Sequence, residues 1–133
     1  MAVGIIRWIG SIAGLGALTL GLLFWIANID FISLHMLFGI IVALSLLTLG
    51  LVALFSKGLR LLGGVGVVYA LVVPIFGLTQ DQILDTDAHW IIQAAHLLVG
   101  IGALALIGII STRYQRHKQM SDKSAALQRG VAS

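Results

Sequence analysis

Four apolar stretches, each close to the length needed to cross a bilayer, constrain this chain more than any other feature. They run from Trp8 to Ala27, Phe31 to Phe55, Leu61 to Leu78 and Trp90 to Ser111. A helix needs about 20 predominantly apolar residues to span hydrocarbon, so each stretch is a candidate transmembrane span. The breaks between them are short. Asn28 to Asp30, Ser56 to Arg60 and Thr79 to His89 leave room only for antiparallel neighbours. The expected fold is an all-α membrane protein, a four-transmembrane-helix up-down-up-down bundle over residues 1–112. Residues 113–133 are expected to form a short polar cytoplasmic tail, frayed or lying on the surface.

Composition agrees. Of the 133 residues 59% are hydrophobic and only 10% charged, whereas a soluble domain carries about 25% charged residues. The absence of cysteine excludes disulfide scaffolds, zinc–cysteine sites, iron–sulfur clusters and thioether-linked haem. A net charge of +3 could suggest a nucleic-acid partner, but the basic residues are sparse and follow membrane topology. Arg7, Lys57, Arg60, Arg113, Arg116, Lys118, Lys123 and Arg129 all fall before the first span, between the second and third, or after the fourth. The opposite breaks carry only Asp30, Asp81, Asp85 and Asp87. The positive-inside rule then puts both termini in the cytoplasm, in a multi-pass protein of the bacterial inner membrane. Trp25-Ile26-Ala27-Asn28 lacks a small-x-small cleavage pattern, so the first span is expected to remain as a signal anchor.

A repeat links two of the spans. His35-Met36-Leu37-Phe38-Gly39-Ile40 and His96-Leu97-Leu98-Val99-Gly100-Ile101 both read H-x-L-x-G-I, in spans that run the same way. Both histidines lie roughly 6 to 9 Å below the outer boundary at 1.5 Å rise per residue. A glycine four residues on shares its histidine's face and clears flat space beside the imidazole. On the fourth span His89, Gln93, His96, Gly100 and Ala103 form a polar or small stripe among Leu, Ile and Val.

A polar side chain at membrane depth is costly without a partner. One reading makes His35 and His96 the axial ligands of a single non-covalent b-type haem, with Gly39 and Gly100 admitting the ring and Gln93 and His89 tuning or relaying. Another makes each histidine an interhelical hydrogen-bond donor. A third gives each the magnesium of a chlorophyll-type pigment.

His35 and His96 with Gly39 and Gly100, in parallel spans of a small bundle, resemble the four-helix membrane cytochromes b and the cytochrome b anchor subunits of respiratory enzymes. The resemblance covers all four spans in architecture and these few residues in motif. It implies a bis-histidine, low-spin haem used for electron transfer, exchanging electrons with quinone or a partner redox protein near the outer face. The inner half of the bundle has no histidine, and His117 lies beyond the fourth span, so one haem at most is expected. The outer breaks hold no basic residue, which leaves Asn28, Ser33, Gln80, Gln82, His89 and Trp90 to meet haem propionates. The alternative function is a non-catalytic accessory subunit of a larger respiratory or photosynthetic assembly, held by other membrane subunits or by copies of itself.

The remaining features fit structural roles. Trp8, Trp25 and Trp90 mark span ends, where indoles prefer the interface. Pro74 is expected to kink the third span by removing a bond to Ala70. Gly10, Ala13, Gly14 and Ala17 form one small-residue ridge, and Gly63, Gly64 and Gly66 another. No acidic or basic residue falls inside a predicted span, which disfavours a carboxylate-driven exporter. Ser11, Thr19, Ser45 and Thr48 have no histidine at their depth, so nucleophilic hydrolysis is not expected.

Overall fold

In the computed structural model, which describes residues 1–27, 29–79, 82–83 and 89–131, four helices follow one another: α1 (Ala2–Ala27), α2 (Ile32–Leu54), α3 (Arg60–Thr79) and α4 (His89–Val131). No strand occurs among the described residues. All four helices are long and apolar enough to cross a membrane. Asn28, Gln80, Asp81, Asp85 and Asp87 lie outside the described residues.

Two helix limits differ from the sequence reading. α1 begins at Ala2 rather than Trp8, so Arg7 belongs to the first helix rather than preceding it. α4 does not stop near Ser111. It continues for 43 residues to Val131, so the segment read as a frayed tail is helical throughout its described length. Between Gly108 and Gly130 the sequence holds neither glycine nor proline, and Gln, Lys, Arg, Met, Ala and Leu there are good helix formers. At 1.5 Å per residue α4 is about 64 Å long, roughly twice the hydrocarbon thickness. Every residue from Arg116 to Gly130 is exposed.

The connections are short and locally determined. Asp30 Oδ1 accepts from the Ile32 N–H at 3.1 Å, an Asx-type turn just ahead of α2. Between α2 and α3 the chain reverses at Gly58, whose φ of +83° suits a residue without Cβ. Pro74 sits inside α3 without ending it.

Glycine contacts reveal how the helices run. Gly10 faces Ser45, Gly16 faces Phe38 and Gly21 faces His35, so position rises along α1 as it falls along α2. Gly50 faces Gly66 and Gly63 faces Leu54 between α2 and α3, while Gly77 faces His96 and Gly102 faces Tyr69 between α3 and α4. Neighbours are therefore antiparallel, and the bundle is up-down-up-down. Among the described residues α1 and α3 do not meet, whereas α2 and α4 do. The cross-section is a rhombus with α2 and α4 on its short diagonal.

The small-residue ridges are used inside the bundle except at Ala17 and Gly64, which are only half-buried. Gly10, Ala13 and Gly14 are buried on α1, and Gly63 and Gly66 on α3. α2 and α3 approach backbone to backbone. A Cβ on Gly50 would stand 2.8 Å from the Val67 nitrogen, and one on Gly66 would stand 3.3 Å from the Gly50 Cα. Without a hydrophobic effect between helices in lipid, such close approach supplies dispersion contact that larger residues would forbid.

Packing is uneven along the bundle axis. Leu46, Leu49, Ala53, Ala103, Ile107, Ile110 and Ser111 are all essentially inaccessible, at the end that carries the α2–α3 turn. At the opposite end no residue of α2 before Val42, nor of α4 before Ala103, is buried. The helices are tight at one end and loose at the other.

Candidate functional site

His35 and His96 meet at the loose end. His35 lies about 5 Å into α2 and His96 about 10 Å into α4 by helical rise, and their ring centroids are 5.9 Å apart with planes 54° to each other. Periodicity could not show this convergence, because spans that are apolar on every face carry no rotational signal. The short diagonal brings the two faces together.

Each ring also rests on a glycine of the preceding helix. A Cβ on Gly21 of α1 would lie 3.1 Å from His35 Cε1, and a Cβ on Gly77 of α3 would lie 3.1 Å from His96 Cε1. The H-x-L-x-G-I repeat therefore sits in two equivalent hairpins, each with a glycine on its first helix and a histidine on its second. Gly21 and Gly77 were missed by sequence reasoning. The signal that could have found them is their place near the outer ends of the first and third spans, at the depth of the histidines.

Hydrogen bonding sets the two imidazoles apart. His35 Nδ1 lies 2.9 Å from the Ala17 carbonyl oxygen. A carbonyl only accepts, so Nδ1 is the donor and the neutral ring keeps its free lone pair at Nε2. That bond is the kind that orients a metal-binding imidazole and raises its basicity. His96 Nδ1 is the one buried side-chain polar atom without a hydrogen-bond partner among the described residues. The hydroxyls of Thr19, Thr48, Thr79 and Ser111, by contrast, bond carbonyls three or four residues back in their own helices, and that of Ser56 in the turn bonds Val52 of α2. Phe76 stands beside His96, ring centroids 5.9 Å apart and planes at 35°.

Gly39 and Gly100 do not touch the imidazoles or one another's helices. A Cβ added at either would meet nothing within 4 Å, so open space lies one turn inward of each histidine. Gln93 is half-buried on α4. His89 forms the first residue of α4, two turns outward of His96. Tyr69 crosses from α3 to α4, where its hydroxyl donates to the Val99 carbonyl at 3.1 Å and packs on Gly102.

The donor set limits what such a site can hold. Among the described residues no cluster of three or more His, Cys, Asp or Glu is placed to bind a metal ion. Two imidazoles leave a bare ion under-coordinated, but they complete an iron whose four equatorial positions a macrocycle fills. With metal–nitrogen bonds of about 2 Å, two imidazoles on one ion have centroids about 6 Å apart. The observed 5.9 Å is compatible with that spacing and equally with ordinary ring packing, since the Phe76 and His96 rings stand at the same 5.9 Å.

Fold and site together define a class, the multi-pass α-helical membrane protein with a histidine pair between two parallel spans. Comparison with protein-family models, with curated proteins and with solved structures finds no match to this chain.

Proposed function

We propose that the protein is a haem b-binding electron-transfer subunit of the bacterial inner membrane, in which His35 and His96 would hold one haem. The observation that carries this reading is the convergence of the two histidine rings, 5.9 Å apart. It is supported by the His35–Ala17 bond and by the partnerless His96 Nδ1. When bound, haem would supply one-electron chemistry.

The chain's own residues would do the rest. The Ala17 carbonyl fixes the His35 tautomer and aims Nε2 away from α1. Gly21 and Gly77 let the rings seat against α1 and α3. Gly39 and Gly100 keep the neighbouring volume clear. Phe76 shields His96 from lipid, and a low local dielectric there would tune the potential. Gln93 and His89 would offer polar groups outward of the ring, toward the boundary where a quinone or a redox partner would exchange electrons.

Oxidised and dithionite-reduced absorption spectra of the detergent-purified protein, with a pyridine haemochrome assay, test this reading. A b-type spectrum near one haem per chain is expected, lost in His35→Ala and in His96→Ala. Unchanged spectra in those variants would overturn it. Absorption maxima of a chlorophyll-type ring would assign the histidines to pigment instead.

One observation favours a second reading, an accessory subunit of a larger respiratory or photosynthetic assembly. The exposed helix from Arg116 to Gly130 offers a rigid surface beyond the bundle for another subunit. Colourless protein that co-purifies with such an assembly would support it.

A further inference from the structure

A second candidate site lies on the lateral face of α3, with its polar end at Arg60, away from the histidines. There a shallow, open groove, a cleft of about 400 Å³ lined by α3 alone, runs from Arg60 past Gly64 and Val68 to Val72. Twelve residues of helix span about 18 Å, close to the depth of one leaflet of hydrocarbon. The concavity comes from Gly64. A Cβ there would meet only Leu54 Cδ1, at 3.9 Å, so the space in front of it is left open. Tyr69 also lines the cleft, and its hydroxyl is already spent on Val99, so the walls below Arg60 offer almost no polar group.

The mouth is different. Arg60 is the first residue of α3 and an exposed cation. Lys57 stands three residues earlier in the exposed turn. Gly58 of that turn lies beside α4, where a Cβ would be 3.7 Å from His117 Nε2. One end of the cleft is thus cationic and at the edge of the apolar zone, and the rest is an apolar trough of leaflet depth. An anionic phospholipid has that same division, a phosphate at one end and an acyl chain below it.

We propose that this cleft holds one anionic phospholipid, its phosphate on Arg60 with Lys57 nearby and one acyl chain along Gly64, Val68 and Val72. The site is independent of haem and would be filled in protein of any colour. Arg60 supplies the choice of headgroup, and the gap at Gly64 supplies the residence of the chain.

Native mass spectrometry of the full-length protein, released from nanodiscs of phosphatidylcholine with one-tenth phosphatidylglycerol, provides the test. Wild-type protein is expected to retain one phosphatidylglycerol in preference to phosphatidylcholine. Arg60→Gln is expected to lower that preference roughly five-fold, as one basic residue at a membrane surface is worth about a factor of that size. Gly64→Leu is expected to abolish retention of either lipid, because its side chain would occupy the trough. Val68→Trp, at an exposed position, provides a second block should Gly64→Leu fail to fold. Equal retention of the two lipids by wild type, or unchanged phosphatidylglycerol retention in a folded blocking variant, would overturn the proposal. Displacement of the lipid by millimolar inorganic phosphate would overturn it too, since the site would then read phosphate without the chain.

Discussion

Four glycines near the histidines divide into two kinds, and substitution should separate them. Gly21 and Gly77 support the rings, and a methyl at either would press on an imidazole Cε1 at 3.1 Å. Gly39 and Gly100 face open space, so alanine there meets no protein atom. In haem-free protein, Gly39→Ala and Gly100→Ala should therefore leave thermal stability in detergent unchanged or raise it by up to about 1 kcal/mol, the helix-propensity gain of alanine over glycine. If a macrocycle fills that space, the same two variants should lose haem occupancy, as measured by haemochrome stoichiometry. Gly21→Ala and Gly77→Ala should instead retain haem with a shifted reduction potential, because they tilt a ligand without filling the pocket. Full occupancy in Gly39→Ala and Gly100→Ala would place any bound ring elsewhere. The histidine and glycine of the repeat were legible in the sequence. The Ala17 carbonyl and the two supporting glycines were not, because a backbone acceptor has no residue signature and a glycine in an apolar span looks like any other packing position.

Among the elements, the α2–α3 pair carries the tightest constraint. Gly50, Gly63 and Gly66 bring the two backbones into contact; a side chain at Gly50 or Gly63 would meet the facing backbone and must separate the helices, and one at Gly66 would also press on Ile110 of α4 at 2.6 Å. Gly66→Val should lower stability by about 1–3 kcal/mol, the usual cost of overpacking, as read from denaturant or thermal unfolding in detergent. Gly108→Ala is the matched control. Nothing lies within 4 Å of a Cβ at Gly108, so it should be neutral or slightly stabilising. Equal losses in both variants would show that something other than close approach governs the effect. The spans themselves were readable to within a few residues for α2 and α3, because charge and turn residues bound them closely. α1 ran past its expected start because one arginine is not enough to end a helix. α4 ran past its expected stop because polarity marks the membrane edge and not the end of helical hydrogen bonding.

At the scale of the whole molecule, the contacts determine antiparallel order, while the side each end faces rests on charge. A chain without cysteine makes that directly measurable. Gln82→Cys should react with an impermeant maleimide added to intact cells, and Lys57→Cys only after permeabilisation. The reverse pattern would overturn the positive-inside orientation. A protein ended after Gln115 should keep its helical bundle and its melting temperature within a few degrees, since residues 116–130 are exposed. A large loss would mean that the extension braces the spans. The continuity of α4 also has a mechanical meaning. His96 and the exposed segment ride on one uninterrupted rod, joined by backbone hydrogen bonds with no proline between them. Between the two lie Ala103, Ile107 and Ile110, locked in the tight end of the bundle, so a partner that grips the rod outside the bilayer pulls first on that clamp and only through it on His96.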